Sequence, residues 1–182
     1  MIKHISGNNL ITTNWSGGTT TQLYIYPEEA SYAERNFLFR ISTATVETEA
    51  SVFTALPGIH RHLMVLEGIL HIIHEDHYEK TLHAFDQDEF EGEWTTYGKG
   101  KVRDFNVMLR ENGKARMQMV KVFGKEVIES HFDFTILYIC QGGAMINRTE
   151  CMQGDVLIAH KEEEIEIISP VNSTIILVDI QL

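Results

Sequence analysis

Short β-strand patterns follow one another along almost the whole of this 182-residue chain. Over residues 37–46 and again over residues 102–110, large apolar side chains occupy alternate positions. A two-residue period is typical of a strand that buries one face. The best helical candidate, residues 27–34, covers a turn or two at most. Closely spaced strands with so little helix predict an all-β, or mainly β, chain folded as a sandwich or barrel.

A weak internal echo suggests two barrels rather than one. Residues 63–68 resemble residues 136–142, and further along Gln87-Asp88 is echoed by Gly154-Asp155. Asn112-Gly113 is a strong hairpin signal and predicts that strand 102–110 turns into a partner strand over residues 117–123. We therefore expect a first barrel over residues 1–112 and a second over residues 113–182, with an exchange of strands across the boundary left open. Chance similarity between β-strands is the alternative interpretation of the echo.

The landmarks of the echo resemble the cupin pattern, in which an apolar strand and a glycine precede a Gly-Asp and another strand. Four further stretches carry a more specific likeness: residues 15–22 (WSGGTTTQ), 40–42, 53–61 and 104–108. With these stretches the chain resembles the HutD/Ves family of bicupins. The resemblance implies two fused cupin-like β-barrels and, for some members, a link to histidine utilisation. Two positions depart from the family pattern, because Gln22 stands where Glu is usual and His60 stands where Asp is usual.

The stretch His60-Arg61-His62 suggests a metal site, because many cupins bind a metal through an His-x-His pair, a following Glu and a later His. Imidazoles with a carboxylate suit Fe, Mn, Ni or Zn. When the chain is aligned on the glycine of the next turn, however, Arg61 takes the Glu position, and Thr54 and Leu56 take the His positions. We therefore predict no metal and no other cofactor. Alternation still places His60 and His62 on one face of a strand, which leaves chelation by that pair open.

Arginine in place of a metal-binding Glu exchanges a cation-binding group for a cation. Arg61 presents a planar fork of donors that suits carboxylates. Arg40 is a second candidate, because it interrupts a strand of apolar and small residues, where a charge needs a partner. Asn106 offers an amide that both donates and accepts, and Asp104 on the same strand face could hold an arginine in place. Together with His60, these four are the predicted ligand-binding residues; a structural ion pair between Arg40 and Asp104 is the alternative.

The leading functional hypothesis is a non-metal bicupin whose first barrel binds a small carboxylate-bearing metabolite, in a sensing or controlling role. One alternative is a cupin enzyme, either metal-dependent or an isomerase or lyase that uses His60 or Asp104 as a base. Another is a structural or stress-related protein without a small ligand. Binding is favoured over catalysis, since Cys140 and Cys151 have no evident His and acid partners for nucleophilic chemistry. The scattered histidines of the first half are predicted to lie at the surface: His71, His74, His77 and His83.

Composition disfavours several other classes of protein. The chain has 26 acidic and 15 basic residues and a formal charge of -11, whereas nucleic-acid binding depends on basic surfaces. No apolar run is long enough to span a membrane, and residues 1–9 lack the pattern of a signal peptide. We therefore expect no nucleic-acid or membrane partner and a cytoplasmic location. A homodimer is expected too, because cupins often pair through exposed edge strands.

Overall fold

The computed structural model describes residues 2–110 and 112–182, and most of them lie in β-strands. The predicted mainly β fold is confirmed. In these residues the one helical element is a 3-10 turn at Gly7–Asn9. The strands are β1 (Lys3–Ile5), β2 (Ile11–Trp15), β3 (Gly18–Tyr26), β4 (Phe39–Val46), β5 (Ala50–Val52), β6 (Ile59–Gly68), β7 (Leu70–His74), β8 (Tyr78–Leu82), β9 (Gln87–Glu91), β10 (Thr96–Lys99), β11 (Val102–Arg110), β12 (Lys114–Glu129), β13 (Phe134–Gln141), β14 (Gly143–Ile146), β15 (Thr149–Met152), β16 (Val156–His160) and β17 (Glu164–Gln181).

The short helix expected over residues 27–34 is replaced by turns. The Asn36 side chain accepts the backbone N–H of Ser31, and the Ser31 hydroxyl accepts the backbone N–H of Glu34. Side chains that bind nearby backbone groups in this way compete with the helical hydrogen-bond pattern. Within the described residues, no helix has the length and apolarity that crossing a membrane would require.

The chain divides into two compact units, residues 11–113 and residues 114–182, and the residues up to Leu10 belong to the second. Strand β1 lies in the sheet of the second unit, because it pairs with β16. This is a strand exchange of the kind that the sequence left open.

The first unit contains a six-stranded sheet in the order β2-β3-β4-β11-β6-β9 and a four-stranded sheet in the order β5-β10-β7-β8. Apolar side chains of both sheets meet in one core, where Leu63 and Val65 of β6 pack with Leu70 and Ile72 of β7. These side chains sit two residues apart on their strands, so one face of each sheet is directed at the other.

The hairpin predicted at Asn112-Gly113 is wrong. Strand β11 pairs with β4 along one edge and with β6 along the other. Both edges are therefore occupied, and β12 pairs with β17 of the second unit instead. The turn signal correctly predicted a break between two strands, but it could not predict which strands pair.

The second unit is a single sheet in the order β1-β16-β13-β17-β14-β15, to which β12 adds by pairing with β17. Strand β17 is 18 residues long and pairs with β12, β13 and β14. Its apolar residues Ile165 and Leu177 join Leu137, Ile139 and Leu157 in the core of this unit.

The internal echo corresponds to one backbone arrangement that occurs in both units. In the first unit, Val65 N–H donates to the Asp86 carbonyl at 3.1 Å, and Phe85 N–H donates to the Val65 carbonyl at 2.6 Å. In the second unit, Ile139 forms the same pair of bonds with Gly154-Asp155, at 3.0 and 2.9 Å. Each Asp side chain also accepts the backbone N–H of the third residue before it.

This arrangement shifts the echo by two residues, because Gly154-Asp155 corresponds to Phe85-Asp86 and not to Gln87-Asp88. The turn requires a positive φ, which is 95° at Gly154 and 70° at Phe85. Glycine adopts such values without steric cost, whereas phenylalanine rarely does. The sequence comparison missed this correspondence because a phenylalanine occupies the glycine position.

Candidate functional site

Strand β11 brings two arginines into one row of the six-stranded sheet. Arg40 of β4 and Arg61 of β6 are both register partners of Met108, one on each edge of β11. Neighbouring strands lie about 4.8 Å apart, so the two arginine Cα atoms are separated by two such spacings. Residues directly opposite each other point to the same face of a sheet. Both arginines and Met108 accordingly line one cavity of about 290 Å³, here called the arginine cavity.

The same face of β11 carries the polar residues of the cavity. Asn106 lies opposite Ser42, and Asp104 lies opposite Ala44. Because they precede Met108 by two and four residues, they point to the same side of the sheet. The structure therefore gathers around one cavity four of the five residues selected from the sequence: Arg40, Arg61, Asp104 and Asn106.

Arg61 is a buried cation with part of its donor capacity unused. Its side chain is held between the rings of Phe53 and Phe90, with centroids 5.0 and 5.2 Å from the guanidinium carbon. One terminal nitrogen donates to Asn106 Oδ1 at 3.3 Å, while Nε has no hydrogen-bond partner in the described part of the chain. Burial lowers the pKa of Arg61 to about 10, so the group stays charged at neutral pH.

Arg40 is also buried, and the partners its guanidinium finds are neutral. Its Nε donates to Gln22 Oε1 at 2.9 Å, and one terminal nitrogen donates to the Ser42 hydroxyl at 3.2 Å. The guanidinium lies over the ring of Tyr32, 4.5 Å from the centroid. Burial lowers the pKa of Arg40 from its usual value, and no carboxylate among residues 2–110 and 112–182 forms an ion pair with it.

Asp104 holds the amide of Asn106 rather than an arginine. Asn106 Nδ2 donates to Asp104 Oδ1 in a short hydrogen bond, which turns the amide oxygen of Asn106 towards Arg61. Burial raises the pKa of Asp104 to about 7, although Arg61 and the bond from Asn106 both act to lower it. At neutral pH this carboxyl is consequently divided between its protonated and ionised forms.

The structural ion pair between Arg40 and Asp104 that the sequence allowed is not formed. Arg40 lies opposite Met108, whereas Asp104 is four residues further along β11. At about 3.3 Å per residue, that distance is roughly 13 Å along the strand. Asp104 instead contacts Asn106, whose amide oxygen accepts a hydrogen bond from Arg61.

His60 does not share the arginine cavity. It neighbours Arg61 on β6 and so points to the opposite face of the sheet. There its Nδ1 lies 3.0 Å from Glu91 Oε1, and its ring packs edge-on against that of His62. Among the described residues, those that line the cavity include one carboxylate, Asp104, and no imidazole.

The sequence matches the model of the HutD family over residues 8–176. The chain belongs to the HutD family. Among solved structures, the fold is similar to the conserved protein of unknown function PA5104 from Pseudomonas aeruginosa PAO1, with a TM-score of 0.88 and 19% identity over 100% of both chains. It is similar to HutD from Pseudomonas fluorescens SBW25, with a TM-score of 0.78 and 16% identity over 100% of this chain and 98% of that one.

The bacterial pirin YhhW from Escherichia coli, solved in complex with nickel(II), is a third neighbour, with a TM-score of 0.74 and 13% identity over 98% of each chain. At these identities the likeness concerns the fold alone, and it confirms the cupin-like architecture expected from the sequence. No curated protein matches the sequence.

One departure from the HutD family pattern falls inside the site. Gln22, which stands where the family usually has Glu, is the residue that accepts the Nε–H of Arg40. A glutamate there would neutralise the arginine, whereas the amide of Gln22 accepts the bond and leaves the positive charge in place. The sequence identified this departure but gave no indication that it faces Arg40.

Other residues of the site could not be predicted from the sequence, because they come from other parts of the unit. Phe53 follows β5 and Phe90 lies on β9, yet both rings meet Arg61. Tyr32 lies in the turns before β4 and covers Arg40. Stacking of this kind has no sequence periodicity that would predict it.

The prediction that four histidines lie at the surface is wrong for His74. This side chain continues the inward-facing row of Leu70 and Ile72 on β7 and is fully buried. Its Nε2 lies 2.9 Å from Asp88 Oδ2, and its Nδ1 lies 2.8 Å from the Thr96 hydroxyl. Both ring nitrogens thus have partners, which is what makes a buried imidazole tolerable.

Proposed function

We propose that the arginine cavity binds a small carboxylate-bearing metabolite, and that the protein senses or controls the level of that metabolite. The observation that carries the proposal is the row formed by Arg40, Met108 and Arg61. It aims two buried guanidinium groups into one cavity from opposite edges of β11. Planar guanidinium donors match the geometry of a carboxylate, and charged hydrogen bonds of this kind are among the strongest in proteins.

The charge of the cavity supports an anionic ligand. Two guanidinium groups face it, and the one carboxyl that lines it, Asp104, is partly protonated at neutral pH because burial raises its pKa to about 7. Burying an unpaired charge is costly. A bound carboxylate would supply the missing countercharge and could accept the unused Nε–H of Arg61.

The size and lining of the cavity support a small amphipathic acid. A volume of about 290 Å³ is at the lower end for ligand pockets. Ser42 and Asn106 offer polar contacts beside the arginines, while Trp15 and Phe53 offer apolar walls. The family link to histidine utilisation suggests an acidic or formylated intermediate of that pathway. One structural neighbour, HutD from Pseudomonas fluorescens SBW25, was solved in a formate condition, so formate belongs among the probes.

Calorimetric titration tests this proposal. Formate, succinate and glutamate are titrated into the protein, with a diamine of similar length to succinate as the cationic control. We expect carboxylate binding that Arg61→Met abolishes, at a cost of roughly 2–5 kcal/mol. Arg116→Met is the matched control, because Arg116 is an exposed arginine that donates to Gln118 in the second unit. Equal binding by both variants and the unmodified chain would refute the proposal.

A second candidate function, proton transfer by an isomerase or lyase, is favoured by one observation. A carboxyl with a pKa near 7 that faces a cavity has the property required of a general acid or base, and Asp104 has it. His60 has no part in this alternative, because it faces away from the cavity. Proton NMR in D₂O distinguishes the two functions: an enzyme would exchange a ligand C–H proton in an Asp104-dependent way, whereas a binding protein would leave the ligand unchanged.

A further inference from the structure

Two cross-strand pairs form a cluster on the face of β6 and β9 that points away from the arginine cavity. His60 lies directly opposite Glu91, and His62 lies directly opposite Glu89. His60 and His62 are alternate residues of β6, and Glu89 and Glu91 are alternate residues of β9. All four side chains therefore point to the same side of the sheet. A nitrogen of each imidazole and a carboxylate oxygen of Glu89 lie within 4.8 Å of one another.

The individual distances are near those of a metal site. His62 Nδ1 lies 3.3 Å from Glu89 Oε1, and His60 Nε2 lies 4.0 Å from Glu89 Oε2. Tetrahedral coordination with bonds of about 2.1 Å places neighbouring ligand atoms roughly 3.4 Å apart. The first separation is already close to that value. The second is longer and involves the other carboxylate oxygen, so coordination requires the exposed Glu89 side chain to rotate.

Glu91 prepares His60 for coordination. Its Oε1 lies 3.0 Å from His60 Nδ1, and a carboxylate there favours the tautomer that carries the proton on Nδ1. The lone pair of that tautomer is on Nε2, the nitrogen that faces Glu89. A carboxylate that orients a metal-binding histidine from behind is a recurring feature of metal centres. This arrangement distinguishes the cluster from an ordinary pair of surface His and Glu residues.

We propose that His60, His62 and Glu89 form a binding site for a divalent first-row transition ion, with Glu91 orienting His60. Two imidazoles and a carboxylate suit Zn²⁺, Ni²⁺ or Co²⁺ and disfavour Mg²⁺ and Ca²⁺, which prefer oxygen ligands alone. Three protein ligands leave a fourth position for water or another small ligand. The ion would link β6 to β9, and its two histidine ligands would come from the positions before and after Arg61. The proposal does not depend on a ligand in the arginine cavity.

Another set of donors, His4, Cys151 and Asp155, brings its ligand atoms equally close but is less suited to a metal. The Asp155 carboxylate already accepts the backbone N–H groups of Gly7 and Met152. Burial raises the pKa of Cys151 to about 11, so its sulfur carries a proton at neutral pH, whereas metals bind the thiolate.

The test is calorimetric titration of Zn²⁺ and Ni²⁺ into untagged, chelator-treated protein. We expect one equivalent to bind with a Kd of about 10 μM or tighter, and Mg²⁺ to give no binding. His60→Ala, His62→Ala and Glu89→Gln should each abolish the binding, and Glu91→Gln should weaken it about 10- to 100-fold. The His60 side chain is 33% exposed, so His60→Ala keeps the test valid even if His62→Ala fails to fold.

Two control variants locate the ion. His71→Ala removes an imidazole whose Nε2 lies 3.4 Å from Glu79 Oε2 but which belongs to neither donor group found among the described residues, and it should bind as the unmodified chain does. His4→Ala should also bind normally, because it disrupts only the other donor set. A visible spectrum of tetrahedral Co²⁺ that disappears in His60→Ala gives an independent readout. Absence of Zn²⁺ and Ni²⁺ binding, or binding unchanged by His60→Ala and Glu89→Gln, would overturn the proposal.

Discussion

Arg40 and Arg61 lie opposite the same residue, Met108, on the two edges of β11. Met108 therefore lies between the two arginines in the sheet, and both guanidinium groups face the arginine cavity. This relationship depends on the register of three strands, and it turns two isolated arginines of the sequence into one candidate anion site.

Carboxylate binding should strengthen as the pH falls through 7. Burial raises the pKa of Asp104 from its ordinary value to about 7. Lowering the pH through this range adds a proton to Asp104 and removes a negative charge that competes with the ligand. Arg61, whose pKa is about 10, keeps its charge throughout. Calorimetric titrations of succinate between about pH 6 and pH 8 measure the effect, and Asp104→Asn should remove it. An equal pH dependence in Asp104→Asn would show that another group is responsible.

Gln22→Glu should weaken carboxylate binding. The substitution keeps the size of the side chain that accepts the Arg40 Nε–H but places a negative charge beside the arginine, so the ligand loses its countercharge. We expect a loss of about 1.5–3 kcal/mol, the range for a hydrogen bond to a charged group. Gln118→Glu is the matched control, because Gln118 accepts a bond from Arg116 on the surface of the second unit. Unchanged affinity in Gln22→Glu would mean that Arg40 does not hold the ligand.

Alternation predicted the candidate site better than any other feature of the sequence. It placed Asp104 and Asn106 on one face of a strand, and the charge of Arg40 in an apolar strand marked that residue for attention. The position of Arg40 and Arg61 opposite the same residue could not be predicted, because it depends on which strands flank β11. The failed hairpin at Asn112-Gly113 has the same cause, since a turn signal is local and pairing is not.

The role of Asp104 also required three dimensions. A carboxylate and two arginines on neighbouring strands suggest an ion pair, but the register separates Asp104 from Arg40 by four residues of β11. The amide of Asn106 occupies the position between Asp104 and Arg61. The burial of Asp104 and the resulting rise of its pKa depend on side chains from several strands, which sequence patterns do not reveal.

His74→Ala should destabilise the first unit. The substitution leaves a cavity and removes one partner each from the buried Asp88 and Thr96, although Tyr78 still donates to Asp88 and Lys80 still forms an ion pair with it. We expect the free energy of unfolding to fall by about 1–3 kcal/mol, the cost of leaving a buried polar group without its partner. Urea denaturation measures the change. His83→Ala, at an exposed position, serves as the control and should alter stability by about 0.5 kcal/mol or less; a similarly small change in His74→Ala would contradict a structural role for the network.

The expected homodimer remains a prediction. Strand β12 carries the exposed apolar side chains of Phe123 and Val127, and apolar residues on an exposed strand favour association with another chain. Light scattering coupled to size exclusion should give twice the mass of one chain at micromolar concentration, and Phe123→Lys should lower it. The mass of a single chain for the unmodified protein would rule the dimer out under these conditions.

A double-mutant cycle determines whether Arg40 and Arg61 act on one bound carboxylate. Calorimetry would measure the affinity for succinate in the unmodified chain, in Arg40→Met, in Arg61→Met and in the double variant. If both arginines hold the same ligand, each single substitution should cost about 2–5 kcal/mol, and the double variant should lose clearly less than the sum of the two. Succinate binding that survives both single substitutions unchanged would show that neither arginine holds the ligand.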